Sequence, residues 1–165
     1  ACTLTAERVI DASRSIGMSL DTCTVPESPK ENRIPHGMAE LGLGIHGEAG
    51  IEQVASNGAA DAISKVTDRL VATMSEGPHA VLINNLGAAS VLEMSILTHS
   101  LLSGEITDQI KFIVGPAALM TALDMHGFSV SVMALSKGDD TLLSQSTTAP
   151  AWPASWPPAP TTARA

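Results

Sequence analysis

The sequence predicts an α/β fold: a layered sheet, mixed or mostly parallel, flanked by helices over residues 1–146, with a proline-rich linker or tail over 147–165. Three observations point there. Segments with helical and strand periodicity alternate along the chain. Only Phe112 and Phe128 supply aromatic rings before the tail, so the core must be Ala, Val, Ile, Leu and Met. Five prolines crowd residues 150–160, the composition of a linker or tail.

Taken in order, residues 4–17 read as a helix. Leu4, Val9, Ile10 and Ile16 recur near helical spacing, and Gly17 suits a C-terminal end. Residues 18–25 read as a strand stopped by Pro26, and 26–37, with three prolines, as an exposed loop. Residues 40–46 alternate strictly. Leu41, Leu43 and Ile45 face one way; Glu40, Gly42, Gly44 and His46 face the other. That predicts a strand with one face bare enough for another backbone or a ligand to approach. Residues 58–75 form an amphipathic helix with Ala62, Ile63, Val66, Leu70 and Met74 as its apolar stripe, ended by Gly77-Pro78. A buried strand over 79–84 follows, then the turn Asn84-Asn85-Leu86-Gly87 and a helix over 89–103. Further on come a strand at 110–114, a helix at 117–124, a strand at 128–135 and a short helix at 138–145.

Composition excludes whole classes of function. Nine Lys and Arg against seventeen Asp and Glu leave a net charge of −8, with 44% apolar and only 16% charged residues. A disordered chain needs the opposite balance, and a nucleic-acid binder needs a basic stripe. No apolar run is long enough to span a membrane, and no basic-then-apolar segment opens the chain. Cys2 and Cys23 fit free thiols. The expectation is a cytoplasmic chain that binds neither nucleic acid nor membrane.

Loops that follow strands collect chemistry in α/β folds. Three qualify: His46-Gly47-Glu48-Ala49-Gly50, Asn84-Asn85-Leu86-Gly87 and Gly115-Pro116. A neutral imidazole on a glycine-walled turn is an accessible nucleophile or general base, which Glu48 could orient; equally, it is a histidine that hydrogen-bonds its own turn. His36, His79, His99 and His126 are scattered without metal-ligand spacing. The Asn84-Asn85 amides suit a neutral polar ligand or cap the next helix. Between Ile34 and Ile110 the only cations are Lys65 and Arg69, and no phosphate-binding glycine loop exists.

Several of these segments together resemble the dihydroxyacetone (glycerone) kinase substrate-binding domain, second lobe only. They are Glu40–Ile51 with its Gly44-Ile-His-Gly47 turn, Ser19-Leu-Asp-Thr-Cys23-Thr-Val-Pro26, Asn84–Gly87, Leu119–Ser129 and Ala149-Pro-Ala-Trp-Pro153. The resemblance runs in order through residues 4–157. It implies that His46 adds to the carbonyl carbon of a short ketose as a hemiaminal, with Gly47 and Glu48 beside it in the substrate site. Dihydroxyacetone is the implied substrate; a four-carbon ketose such as erythrulose, or a noncatalytic ketose-binding regulator, is the alternative. The family's first lobe, with its Gly/Ser-rich histidine turn and an aspartate, has no match here, and Ala88 stands where a second glycine is common. Nor does its nucleotide-binding domain match. The implied partners are therefore that first lobe and a nucleotide domain or phosphocarrier subunit, and ATP and Mg are expected there and not on this chain. The 89–103 helix is apolar on more than one face, which predicts an assembly, either a homodimer or a complex with the first lobe.

Overall fold

A computed structural model of the protein describes residues 2–42 and 49–157. Its centre is a mixed sheet of seven strands in the order β3-β2-β1-β6-β4-β5-β7. The strands are β1 Ser13–Ser19, β2 Met38–Leu41, β3 Glu52–Ala55, β4 His79–Asn85, β5 Ile110–Ala117, β6 Gly127–Ala134 and β7 Ser155–Trp156. The helices are α1 Cys2–Ala12, α2 Ala59–Val71, α3 Val91–Leu102 and α4 Asp139–Leu143.

The mixed form of the predicted sheet is the one observed. Among the described residues only β4 and β5 pair in parallel, joined through α3; every other neighbour is antiparallel. Alternation of helix and strand overstates parallel pairing here because no helix separates β5 from β6.

One face of the sheet carries Ile16, Met18, Val81, Ile83, Val130 and Val132 into the core. Against it pack Ile63, Val66 and Leu70 of α2 and Met94, Leu97 and Leu101 of α3. The predicted stripe of α2 is thus the face that is buried. The opposite sheet face carries a hydroxyl pair, Ser15 to Ser131 at 2.6 Å. Helix α3 opens on a capping box in which Ser90 and Glu93 satisfy each other's backbone N–H. It buries one face and leaves Val91 86% and Leu92 70% exposed, so the apolar second face read from the sequence is uncovered in this chain.

Besides the predicted strand 40–46, which in its described part is strand only as far as Leu41, three segments differ from the sequence reading. The first helix ends at Ala12, and Ser13–Ser19 are strand. Their alternation of Arg14, Ile16 and Met18 with small residues lets seven consecutive residues pair with β6, and those ladder bonds outweigh the helical spacing of Ile10 and Ile16. The predicted strand 18–25 keeps only its first two residues; Leu20 and Thr24 instead donate their N–H groups to His126 and Leu123. The predicted helix 117–124 is absent from the structure. The buried Asn84 side chain explains this. Its Oδ1 accepts from Leu119 N and Met120 N, both at 2.9 Å, and its Nδ2 donates to Met120 O at 2.8 Å. A helix over 117–124 would need the Ala122 N–H and the Met120 carbonyl for its i to i+4 bonds; here Ala122 N donates to Leu86 O, Met120 O accepts from Asn84, and Asp124 takes φ +59°, so the good helix formers Ala118 to Leu123 stay irregular. Strand β3 had no sequence signal: it is a short, mostly exposed edge.

The tail is not featureless. Ser155–Trp156 adds an edge strand to β5, and Trp156 Nε1 donates to Gly115 O at 2.9 Å. A bidentate ion pair, Arg8 to Asp139 at 2.7 and 2.9 Å, ties α1 to α4. No helix among the described residues is long and apolar enough to cross a membrane.

Two outcomes follow from these polar ties. Asn84→Ala removes a buried donor–acceptor set, so it is expected to cost about 2–3 kcal/mol in denaturant unfolding and to unprotect the Leu119 and Met120 amides in hydrogen exchange. Burial raises the Asp139 pKa, but the Arg8 hydrogen bond, the Ser136 N–H and the Arg8 charge outweigh it and leave it below the ordinary 3.8. A depressed carboxylate stabilises the fold above its unfolded pKa and loses that contribution as pH falls through the folded value. Arg8→Ala therefore moves acid destabilisation to higher pH, measurable as a shifted Asp139 carboxyl titration.

Candidate functional site

The predicted site residues His46, Gly47 and Glu48 lie outside the described residues, as do Leu43, Gly44 and Ile45 of the predicted strand. Both flanks of that segment are described, and they converge. Strand β2 ends at Leu41, and Gly42 turns the chain away with φ +75°. Its N–H donates to Gly17 O at 2.7 Å. The chain returns at Gly50 and Ile51, where Ile51 N donates to Leu41 O at 2.8 Å. The close approach expected on the glycine face is realised at Gly42 by a side chain: a Cβ there would stand 2.9 Å from the Ile51 side chain.

Glu40 closes this junction. It is 3% exposed, and its two carboxylate oxygens have separate jobs. Oε1 accepts from Gly50 N at 2.7 Å, and Oε2 from Arg33 Nε at 3.1 Å. Arg33 reaches it from the proline-rich loop, which is irregular as predicted, and also pairs with Glu31. Desolvation lowers the Arg33 pKa, but the hydrogen bonds and charges of Glu31 and Glu40 outweigh it and hold it above its ordinary value. Gly50 has no room for a side chain: a Cβ would fall 2.5 Å from Leu41 O and 2.7 Å from Glu40 Cγ.

Sequence reading placed Glu40 on the face of the histidine but gave it no role, and it passed over Arg33. The available signal was a carboxylate alternating with glycines in a chain that carries few charges.

The other two strand-end loops are filled by the fold itself. Besides its hold on Leu119 and Met120, Asn84 reaches Ser129 Oγ at 3.3 Å. Asn85 accepts from Gly87 N at 2.8 Å and donates to Ala89 O at 2.6 Å, a side-chain-closed turn that leads into α3. These two amides are thus structural, and Ser90 is the cap of the next helix. Gly115 lies within β5, its carbonyl taken by Trp156.

The remaining histidines are apart from one another. His36 and His99 are exposed, and His79 is buried with Nδ1 at 2.9 Å from Gly77 O. His126 precedes β6 with Nε2 at 2.9 Å from Glu93 Oε1. Beside that pair is an apolar cavity of about 210 Å³ between α2, α3 and the ends of β1 and β6. None of its lining residues flanks the His46 segment. Lys65 and Arg69 are paired with Asp61 and Glu52.

Comparison with known proteins gives this geometry a family. The Dak1 domain model matches residues 1–151. The dihydroxyacetone kinase of Citrobacter freundii is 40% identical over 146 residues, 87% of this chain and 26% of that protein. The triokinase/FMN cyclase of Bos taurus is 31% identical over 157 residues, 88% of this chain and 27% of that protein. The solved structure of the C. freundii dihydroxyacetone kinase in complex with AMP-PNP and Mg2+ matches with a TM-score of 0.91 at 35% identity, covering 99% of this chain and 31% of that one. The chain thus spans about a quarter of the length of the curated relatives it matches. With a family model that takes in both the β2–β3 junction and the Asn84 turn, the chain belongs to the Dak1 domain family.

Proposed function

We propose that this chain is the ketose-binding part of a dihydroxyacetone-kinase-type phosphotransferase and that His46 holds the substrate covalently, with Gly47 and Glu48 beside it. The observation that carries this reading is the Dak1 match over residues 1–151, a span that contains the Gly44-Ile-His-Gly47 turn. The kinase relatives support the reaction class, and the Glu40–Gly50 bond joins the two described flanks of the segment.

The covalent step is an addition without a leaving group. One ring nitrogen of neutral His46 donates its lone pair to the carbonyl carbon of the ketose. The C=O π pair moves to oxygen, which takes up a proton while the other ring nitrogen gives one up. The product is a neutral hemiaminal. Such a bond selects a carbonyl over a polyol of the same shape. It also holds a terminal hydroxyl still for in-line attack on a phosphoryl donor. The donor and its magnesium belong to another domain or chain, as does the first lobe with its acid/base groups. Within this chain, the cations nearest in sequence after the site are Lys65 and Arg69, both already engaged with carboxylates. The α3 face with Val91 and Leu92 uncovered suits a chain that works in an assembly, and a cytoplasmic setting suits a ketose substrate.

Mixing the protein with dihydroxyacetone is expected to add the mass of one ketose and to move a labelled carbonyl resonance from the ketone to the tetrahedral range. Peptide mapping should place it on His46. An adduct that persists in His46→Ala overturns the assignment. Because only the neutral ring attacks, adduct formation should fall in acid as the ring becomes protonated. The chain by itself should transfer no phosphate from ATP to dihydroxyacetone; robust turnover by the purified chain would show that it holds donor and acid/base groups of its own.

A further inference from the structure

We infer that Glu40 is a positioning residue for His46: its buried carboxylate latches the two ends of the segment that carries the histidine. The inference rests on the proposed role of His46 and adds to it the device that makes that histidine effective.

The argument starts from cost. A buried carboxylate is expensive unless every lone pair is used, and an apolar side chain of similar size would serve packing as well. Glu40 is buried, and each of its oxygens accepts one bond, from a backbone N–H ten residues ahead and from a guanidinium seven residues behind. No apolar side chain could hold the Gly50 N–H. That bond joins the β2 end to the β3 start, exactly where Gly42 leaves and Ile51 returns through Gly17 O and Leu41 O. Together these bonds fix both entry and exit of residues 43–49. Joining two flanks limits the conformations open to any segment between them before a substrate arrives. Addition to a carbonyl needs the ring nitrogen held near bonding distance, so freedom removed in advance appears as a stronger and faster adduct. Arg33 completes the device by pairing with the carboxylate and anchoring it to the preceding loop, where Arg33 also meets Glu31.

Two substitutions open the latch from opposite sides. Glu40→Ala removes the acceptor. Gly50→Ala keeps the carboxylate but puts a Cβ against Leu41 O and Glu40 Cγ. Each is expected to weaken the dihydroxyacetone adduct about 10- to 100-fold, the effect of losing a charge-assisted hydrogen bond. Glu40→Gln, which keeps an acceptor oxygen for Gly50, should lose less than either. Hydrogen exchange at the Gly50 and Ile51 amides should quicken in the first two variants while the amides of β4 and β6 keep their protection.

A wild-type-strength adduct in Gly50→Ala or Glu40→Ala overturns the inference. So does a loss of protection spread evenly through β4 and β6, which would mark Glu40 as a stability residue only. If Glu40→Ala does not fold, Gly50→Ala and Glu40→Gln decide by the same two readouts. A wild-type chain that forms no adduct defeats the His46 reading and the positioning role with it. The Gly50 amide still separates the two failures, because it reports whether the carboxylate holds the junction at all.

Discussion

The central constraint is the double pairing of β6. This strand has β1 on one side and β4 on the other, each antiparallel to it. Its inward residues Phe128, Val130 and Val132 sit in the core that α2 and α3 cover. A one-residue slip of β6 would turn those three outward and carry Ser129 and Ser131 inward, so its register is strongly specified. Everything functional hangs from its neighbours. Through β1 it sets β2 and the place where the chain leaves at Gly42. Through β4 it sets Asn84 and the turn into α3.

Two backbone positions beyond strand ends share a physical solution. Each is held by one buried polar side chain projecting from a strand: Glu40 onto Gly50, Asn84 onto Leu119 and Met120. Loops normally solvate their backbone. Here part of that backbone is satisfied by a side chain far away in sequence, and no buried side-chain nitrogen or oxygen among the described residues lacks a partner. Such a bond fixes the backbone group it holds more sharply than apolar contact does, because hydrogen bonding is directional.

How much of this was legible depended on where the information lay. The stripe of α2 and the apolar run of β4 were readable because burial of one face imposes a period on the sequence. The junction of α1 and β1 was not, since Ile10 and Ile16 satisfy a helical period while Ser13 to Ser19 also alternate; pairing with β6 decides between them. The stretch 117–124 misled for a related reason. Its helix-forming residues state a local preference, and the groups that overrule it belong to Asn84, some 35 residues earlier. In the proposed site, the His46 segment could be singled out by its residues and resemblance. The latch could not, because a carboxylate's partners are set by the meeting of β2, β3 and the Arg33 loop, which only folding brings about.

The placement of the tryptophans has a spectroscopic consequence. The chain has no tyrosine, and both tryptophans are in the proline-rich segment. Trp152 is exposed, while Trp156 is partly buried at the sheet edge against Gly115. Intrinsic emission from this molecule is therefore a signal of the tail and its docking on β5. The aliphatic core contributes nothing to it. Emission and far-ultraviolet dichroism look at different parts of the same protein, and agreement between them would measure how tightly the last strand is coupled to the rest.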